Sequence, residues 1–85
     1  MVLTYGTQSY EKQWGEKIRT YRTTIGLSQA EFAGIIGVDT ATISRWENGI
    51  KTPANKYRIR IAAYFRNDPN KMFPLPIMAF KEAAA

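Results

Sequence analysis

The segment from Leu27 to Gly49, LSQAEFAGIIGVDTATISRWENG, leaves this chain few folds to choose from. Ser28 and Glu31 stand at the spacing of a capping box, in which a hydroxyl and a carboxylate reciprocally satisfy the first free amides of a helix. Phe32, Ala33 and Ile36 then share one helical face. Gly37 permits the positive φ that a sharp turn demands. Val38 returns an apolar side chain to the core, and Asp39 is placed to cap a following helix. The pattern predicts a helix over Gln29–Ile35, a turn, and a second helix over Thr40–Asn48 that ends at Gly49. Helices this short are not stable alone, so the rest of the chain has to pack around them.

The second of these helices has two unlike faces. Ile43 and Trp46 point one way. Thr40, Ala41, Ser44 and Arg45, spaced i, i+1, i+4 and i+5, point the other. A helix face that merely meets water is usually rich in Lys and Glu. This one carries two hydroxyls, a methyl and one guanidinium, a smooth surface able to hydrogen-bond.

The flanks read as support. Ser9 is a candidate N-cap with Glu11 in the first turn. Trp14, Ile18, Tyr21 and Ile25 recur at steps of four, three and four, which predicts an amphipathic helix over Tyr10–Thr24 closed by Gly26. Lys12, Lys17, Arg19 and Arg22 fall largely off that stripe. Thr52-Pro53 predicts a helix start with proline in the first turn. That helix runs to about Arg66, with Tyr57, Ile61, Ala62 and Phe65 inward and Lys56, Arg58 and Arg60 outside the stripe. Asp68-Pro69 opens a further helical turn through Asn70 to Phe73, whose Met72 and Phe73 close the core. Pro74 and Pro76 interrupt regular structure, and Leu75, Ile77, Met78 and Phe80 form an apolar tail. The expected fold is all-α, five short helices without strands. Residues 1–9 form an N-terminal arm, 10–73 the domain, and 74–85 a tail expected to serve dimerisation.

Composition narrows what such a fold can do. Eighty-five residues suffice for one domain. Cysteine and histidine are both absent, which removes disulfides, thiol chemistry and the commonest metal ligand and general base. The seven carboxylates form no paired or metal-like cluster, so no catalytic residue, metal or cofactor is assigned and an enzyme is not expected. Twelve Lys and Arg leave a formal charge of +5, which suits a polyanionic partner. No apolar run approaches the roughly 20 residues of a membrane span. The N-terminus lacks the basic and apolar regions of a signal peptide. The expected location is the cytoplasm, without a membrane partner or a small-molecule ligand.

The run GLSQAEFAGIIGVDTATISRWENGIKTP resembles the phage repressor and Cro family of helix-turn-helix DNA-binding domains. The likeness extends more weakly to Arg19-x-x-Arg22 upstream and to Ile61-Ala62-Ala63-x-Phe65 downstream, about residues 14 to 73. Capping box, turn glycine, helix-3 isoleucine and the closing Trp-Glu-Asn-Gly stand together at the family's spacing. The resemblance implies a lambda-repressor-like fold whose third helix reads double-stranded DNA in the major groove. Thr40, Ala41, Ser44 and Arg45 match positions that face bases. Ser28 and Gln29 at the start of helix 2, with Asn48 and Lys51 after helix 3, match positions that contact phosphates. Arg22 and Glu47 match a structural salt bridge between helix 1 and the end of helix 3. The implied protein is a Cro-like repressor acting as a homodimer on a near-palindromic operator, in a bacterial or phage-infected cell. An antitoxin or protein-interaction module of the same fold is the alternative.

Overall fold

The computed structural model describes residues 9–75. Within them the chain forms five helices: α1 Tyr10–Thr24, α2 Gln29–Ile36, α3 Thr40–Glu47, α4 Asn55–Tyr64 and α5 Pro69–Met72, with no strand among the described residues. The expectations for residues 1–8 and 76–85, including most of the apolar tail, lie outside this range.

Caps explain where three helices begin. Ser9 accepts from the Lys12 amide, and Asp39 accepts from the Thr42 amide. Ser28 and Glu31 complete the capping box in both directions, at 3.0 and 2.8 Å. Each such cap satisfies amides that have no partner inside the helix and contributes about 1 kcal/mol. Gly37, at φ 92°, takes the left-handed conformation that ends α2 and lets the chain turn into α3.

α1 and α2 both pack against α3, while α4 packs on α5 and α2. Trp14, Ile18, Phe32, Ala33, Ile36, Ile43, Trp46, Ile61, Ala62, Met72 and Phe73 make one buried core, so Met72 and Phe73 do close it. Aromatic pairs join the elements at its edges. Trp14 meets Phe73 edge-on at 5.5 Å, and Trp46 meets Tyr57 at 5.5 Å. Trp14 Nε1 donates to the Pro74 carbonyl at 3.0 Å, tying the end of the described chain back to α1.

Several expectations are corrected. Ile25 is not part of the buried stripe: it is the C-cap of α1, one residue past the helix, and half exposed. α4 does not start at Pro53. The Pro53 ring is fully buried, and Ala54, with extended backbone, is the N-cap whose carbonyl accepts the first helical bonds, from the amides of Tyr57 and Arg58. α4 also stops at Tyr64 rather than Arg66, and Arg66 instead takes a left-handed φ of 55°. Finally, Arg58 and Arg60 do more than meet water. Arg58 donates to the Pro53 carbonyl at 2.7 Å, and Arg60 donates to the Ile36 carbonyl at 2.6 Å. They lie over the rings of Trp14 and Tyr57 respectively, so both are partly structural. The ends of α2 and α3 differ from expectation by one residue, Ile36 being the last of α2 and Asn48 the C-cap of α3.

Candidate nucleic-acid interface

α3 is held from behind at two levels. Ile43 and Trp46 enter the core, and Glu47 is buried beside them. Gly15 of α1 lies so close to the end of α3 that a Cβ built there falls 2.3 Å from the Trp46 carbonyl oxygen and 2.7 Å from that of Glu47. Only glycine fits this crossing. The sequence carried a signal for it, because glycine in the interior of a capped helix costs about 1 kcal/mol relative to alanine and calls for a packing reason.

Glu47 anchors a polar cluster at this crossing. Arg22 makes a two-pronged ion pair with it, Nε to Oε2 at 2.6 Å and Nη2 to Oε1 at 2.9 Å, and donates through Nη1 to the Leu27 carbonyl at 2.7 Å. Gln29 Nε2 donates to Glu47 Oε1 at 3.0 Å. Arg19 Nε approaches the same oxygen at 3.4 Å, and Arg19 Nη2 donates to Asn48 Oδ1 at 3.2 Å. Burial pushes the Glu47 carboxyl up, but the hydrogen bonds from Arg22, Gln29 and Arg19 and the Arg22 charge outweigh it and hold the group below the usual carboxylate range. The hydrogen bond to Glu47 raises the Arg22 guanidinium in turn. No buried side-chain nitrogen or oxygen lacks a partner among the described residues. The expected salt bridge therefore exists, and it is the centre of a larger cluster that includes Arg19, to which the sequence reading assigned no role.

The opposite face of α3 is open. Thr40, Ala41 and Arg45 are exposed and Ser44 is half-buried. The Arg45 side chain makes no hydrogen bond or ion pair among the described residues. The loop after α3 folds back on this helix: the amides of Ile50 and Lys51 both donate to the Arg45 carbonyl, at 2.9 and 3.4 Å. Lys51 and Arg45 then line one open cleft with Thr42, Thr52 and Tyr57. Asn48 reaches back along α3, its Nδ2 donating to the Ser44 carbonyl at 2.9 Å. Gln29, Asn48 and Lys51 thus converge on the C-terminal half of α3, while Thr40 and Ala41 occupy its N-terminal end. Ser28 stays at the start of α2, its hydroxyl accepting from the Glu31 amide. The Thr42 hydroxyl and amide hold the Asp39 carboxyl below its usual range.

No helix among the described residues is long and apolar enough to cross a membrane. No group of His, Cys, Asp and Glu among them is placed to hold a metal.

Known structures share this fold. The P22 c2 repressor, crystallised with the synthetic operator 9T in the presence of Tl+, superposes with a TM-score of 0.67 at 24% identity, over 72% of this chain and 92% of that one. The restriction-modification controller protein C.AhdI from Aeromonas hydrophila gives a TM-score of 0.67 at 25% identity, over 74% of this chain and 96% of that one. No curated protein matches the chain significantly. The helix-turn-helix family profile matches residues 18–71, which spans α2, α3 and their support, and the chain belongs to that family.

Proposed function

We propose that this protein is a sequence-specific, double-stranded-DNA-binding transcriptional regulator, a Cro-like repressor that reads its operator with α3 in the major groove. The observation that carries the reading is the division of α3: an inner face held in the core, and an outer face of exposed Thr40, Ala41 and Arg45 with the half-buried Ser44 beside them. A major groove admits a helix presenting such a face. The Arg45 guanidinium, which makes no hydrogen bond or ion pair among the described residues, suits a two-pronged contact with guanine O6 and N7. The Ala41 and Thr40 methyls suit thymine, and the Thr40 and Ser44 hydroxyls take either polarity of partner. Ser28 and Lys51 flank the face and are assigned to phosphates, which fix register without reading sequence; Gln29 and Asn48 carry the same assignment from family likeness alone, their amide nitrogens being engaged within the fold.

The formal charge of +5 supports a polyanionic ligand. A single recognition helix reads too few base pairs for genomic selectivity, so the reading includes a homodimer on a near-palindromic operator. Selection of bound duplexes from a random library, at fixed salt, tests it. A two-fold-related motif with half-sites about one DNA turn apart and a G·C pair in each is the expected result. Absence of any enriched sequence overturns the reading.

A further inference from the structure

We infer that Arg19 is a phosphate-binding residue of this protein, and that it, rather than Asn48, supplies the charged donor beside the C-terminal end of α3. The inference rests on the DNA-binding reading above and gives a role to a residue that the sequence marked only as part of the weaker upstream likeness.

Charge balance is the first argument. Glu47 carries one negative charge, and Arg22 already meets it through two nitrogens at 2.6 and 2.9 Å. Arg22 is buried with it, so that pair is neutral and internal. Arg19 is a second cation on the same carboxylate, at 3.4 Å, and its side chain is 47% exposed. The cluster therefore carries one surplus positive charge, and Arg19 is the member that presents it to solvent.

Donor geometry is the second. Asn48 turns its Nδ2 donors inward to the Ser44 carbonyl at 2.9 Å and, more weakly, to the Ser44 hydroxyl at 3.4 Å. What remains on its outer side is Oδ1, an acceptor, and Arg19 Nη2 already covers it at 3.2 Å. An acceptor has nothing to offer a phosphate oxygen. Gln29 is likewise drawn inward, its Nε2 on Glu47 Oε1 at 3.0 Å. A guanidinium has five N–H groups. Arg19 spends one on Glu47 and one on Asn48 among the described residues, so its remaining donors can reach an outside oxygen without breaking the cluster.

The fixed position is the third. Arg19 is bound at once to the last residue of α3 and to its C-cap, so its charge moves with the recognition helix rather than with a loose side chain. A phosphate contact made there sets the depth and tilt at which α3 presents Ser44 and Arg45.

The test measures affinity for a random-sequence duplex across a salt series, with wild type, Arg19→Ala, Arg19→Lys and the remote control Lys71→Ala, each checked for folding by thermal melting. Each phosphate neutralised contributes about 0.9 to the slope of log K against log salt. Arg19→Ala is expected to flatten the slope by about that amount and to weaken binding about tenfold at physiological salt, while Lys71→Ala leaves the slope unchanged. Arg19→Lys keeps the charge and is expected to restore most of the slope. A weaker Arg19→Ala protein whose slope equals that of wild type overturns the inference, because Arg19 then acts only by holding Glu47 and Asn48 in place. An equal loss of slope in Lys71→Ala overturns it as well, since the effect is then one of overall charge. If wild type itself shows no salt-dependent binding, the DNA-binding reading fails and Arg19 with it. If wild type binds and Arg19→Ala matches it, the assignment of Arg19 alone fails.

Discussion

The inner and outer faces of α3 belong to the same eight residues and obey opposite rules. Inward, Ile43, Trp46 and Glu47 are buried against α1 and α2, at a crossing so tight that Gly15 has no room for a methyl group. Outward, Thr40, Ala41 and Arg45 are exposed. The contrast shows how a small domain can fix the position of an exposed helix face without dictating its chemistry. Every constraint on where the helix lies enters from behind, and the residues in front are left to the ligand. Substitutions on the two faces should therefore separate stability from recognition.

Glu47→Ala should do the most damage. It strands the buried Arg22 guanidinium and removes the acceptor of Gln29. Removing one partner of a buried pair costs around 3–5 kcal/mol, against a total stability of roughly 5–15 kcal/mol for a small domain. Urea denaturation should show a protein close to unfolded. The double replacement Arg22→Met with Glu47→Leu leaves no buried charge unpaired and should recover much of the loss. If the single variant melts within a degree or two of wild type, the cluster does not anchor the inner face.

Gly15→Ala comes next. Alanine normally favours a helix interior by about 1 kcal/mol over glycine. Here the new Cβ meets backbone oxygens at 2.3 and 2.7 Å, which no rotamer change relieves, so α1 and α3 have to separate. Forced overpacking of this kind costs about 1–3 kcal/mol, and the sign of the change measured by denaturation settles the matter. A stabilised variant contradicts the crossing.

These two residues show where the sequence was legible and where it was not. Local rules placed the caps at Ser9, Ser28 and Asp39, the turn at Gly37 and the inward residues of α3, because each depends on neighbours a few positions away. The Arg22–Glu47 pair, 25 residues apart, was reached through family likeness and not through pattern. Pro53 misled because a proline favoured in a first turn is equally at home as a buried loop residue, and only the packed core decides. Arg58 and Arg60 were placed only outside the apolar stripe, because hydropathy records their charge and not the carbonyls and rings that receive them. Arg19 escaped for a related reason: its importance lies in Arg22 having already satisfied Glu47, a fact of three-dimensional charge balance. The outward residues of α3 were located by periodicity, and the base contacts assigned to them come from family likeness rather than from pattern.

Acid pH should weaken the inner face by a smaller, graded amount. The Glu47 carboxyl titrates below its unfolded value, ordinarily about 4.3, so its contribution is full above that pH and declines as pH falls through the folded value. Asp39, also lowered, shifts stability in the same direction. The melting temperature should hold through neutral pH and fall below about pH 4. Glu47→Gln should remove most of that pH dependence whatever its own stability, and an unchanged acid limb in the variant assigns the effect elsewhere.

Arg45→Ala should change folding least and recognition selectively. Its side chain makes no hydrogen bond or ion pair among the described residues, and alanine suits a helix, so stability should stay within about 0.5 kcal/mol of wild type. On the selected operator, loss of a two-pronged guanine contact should cost about 1–3 kcal/mol and relax the preference at one base pair in each half-site, leaving the others intact. Competition with operators substituted one position at a time reads this directly. A uniform loss across all substituted operators would mean that Arg45 binds phosphate, which would move the reading surface toward Thr40 and Ala41. A drop in melting temperature as large as that of Gly15→Ala would mean that the outer face helps to hold the fold, and the separation of the two faces of α3 would not stand.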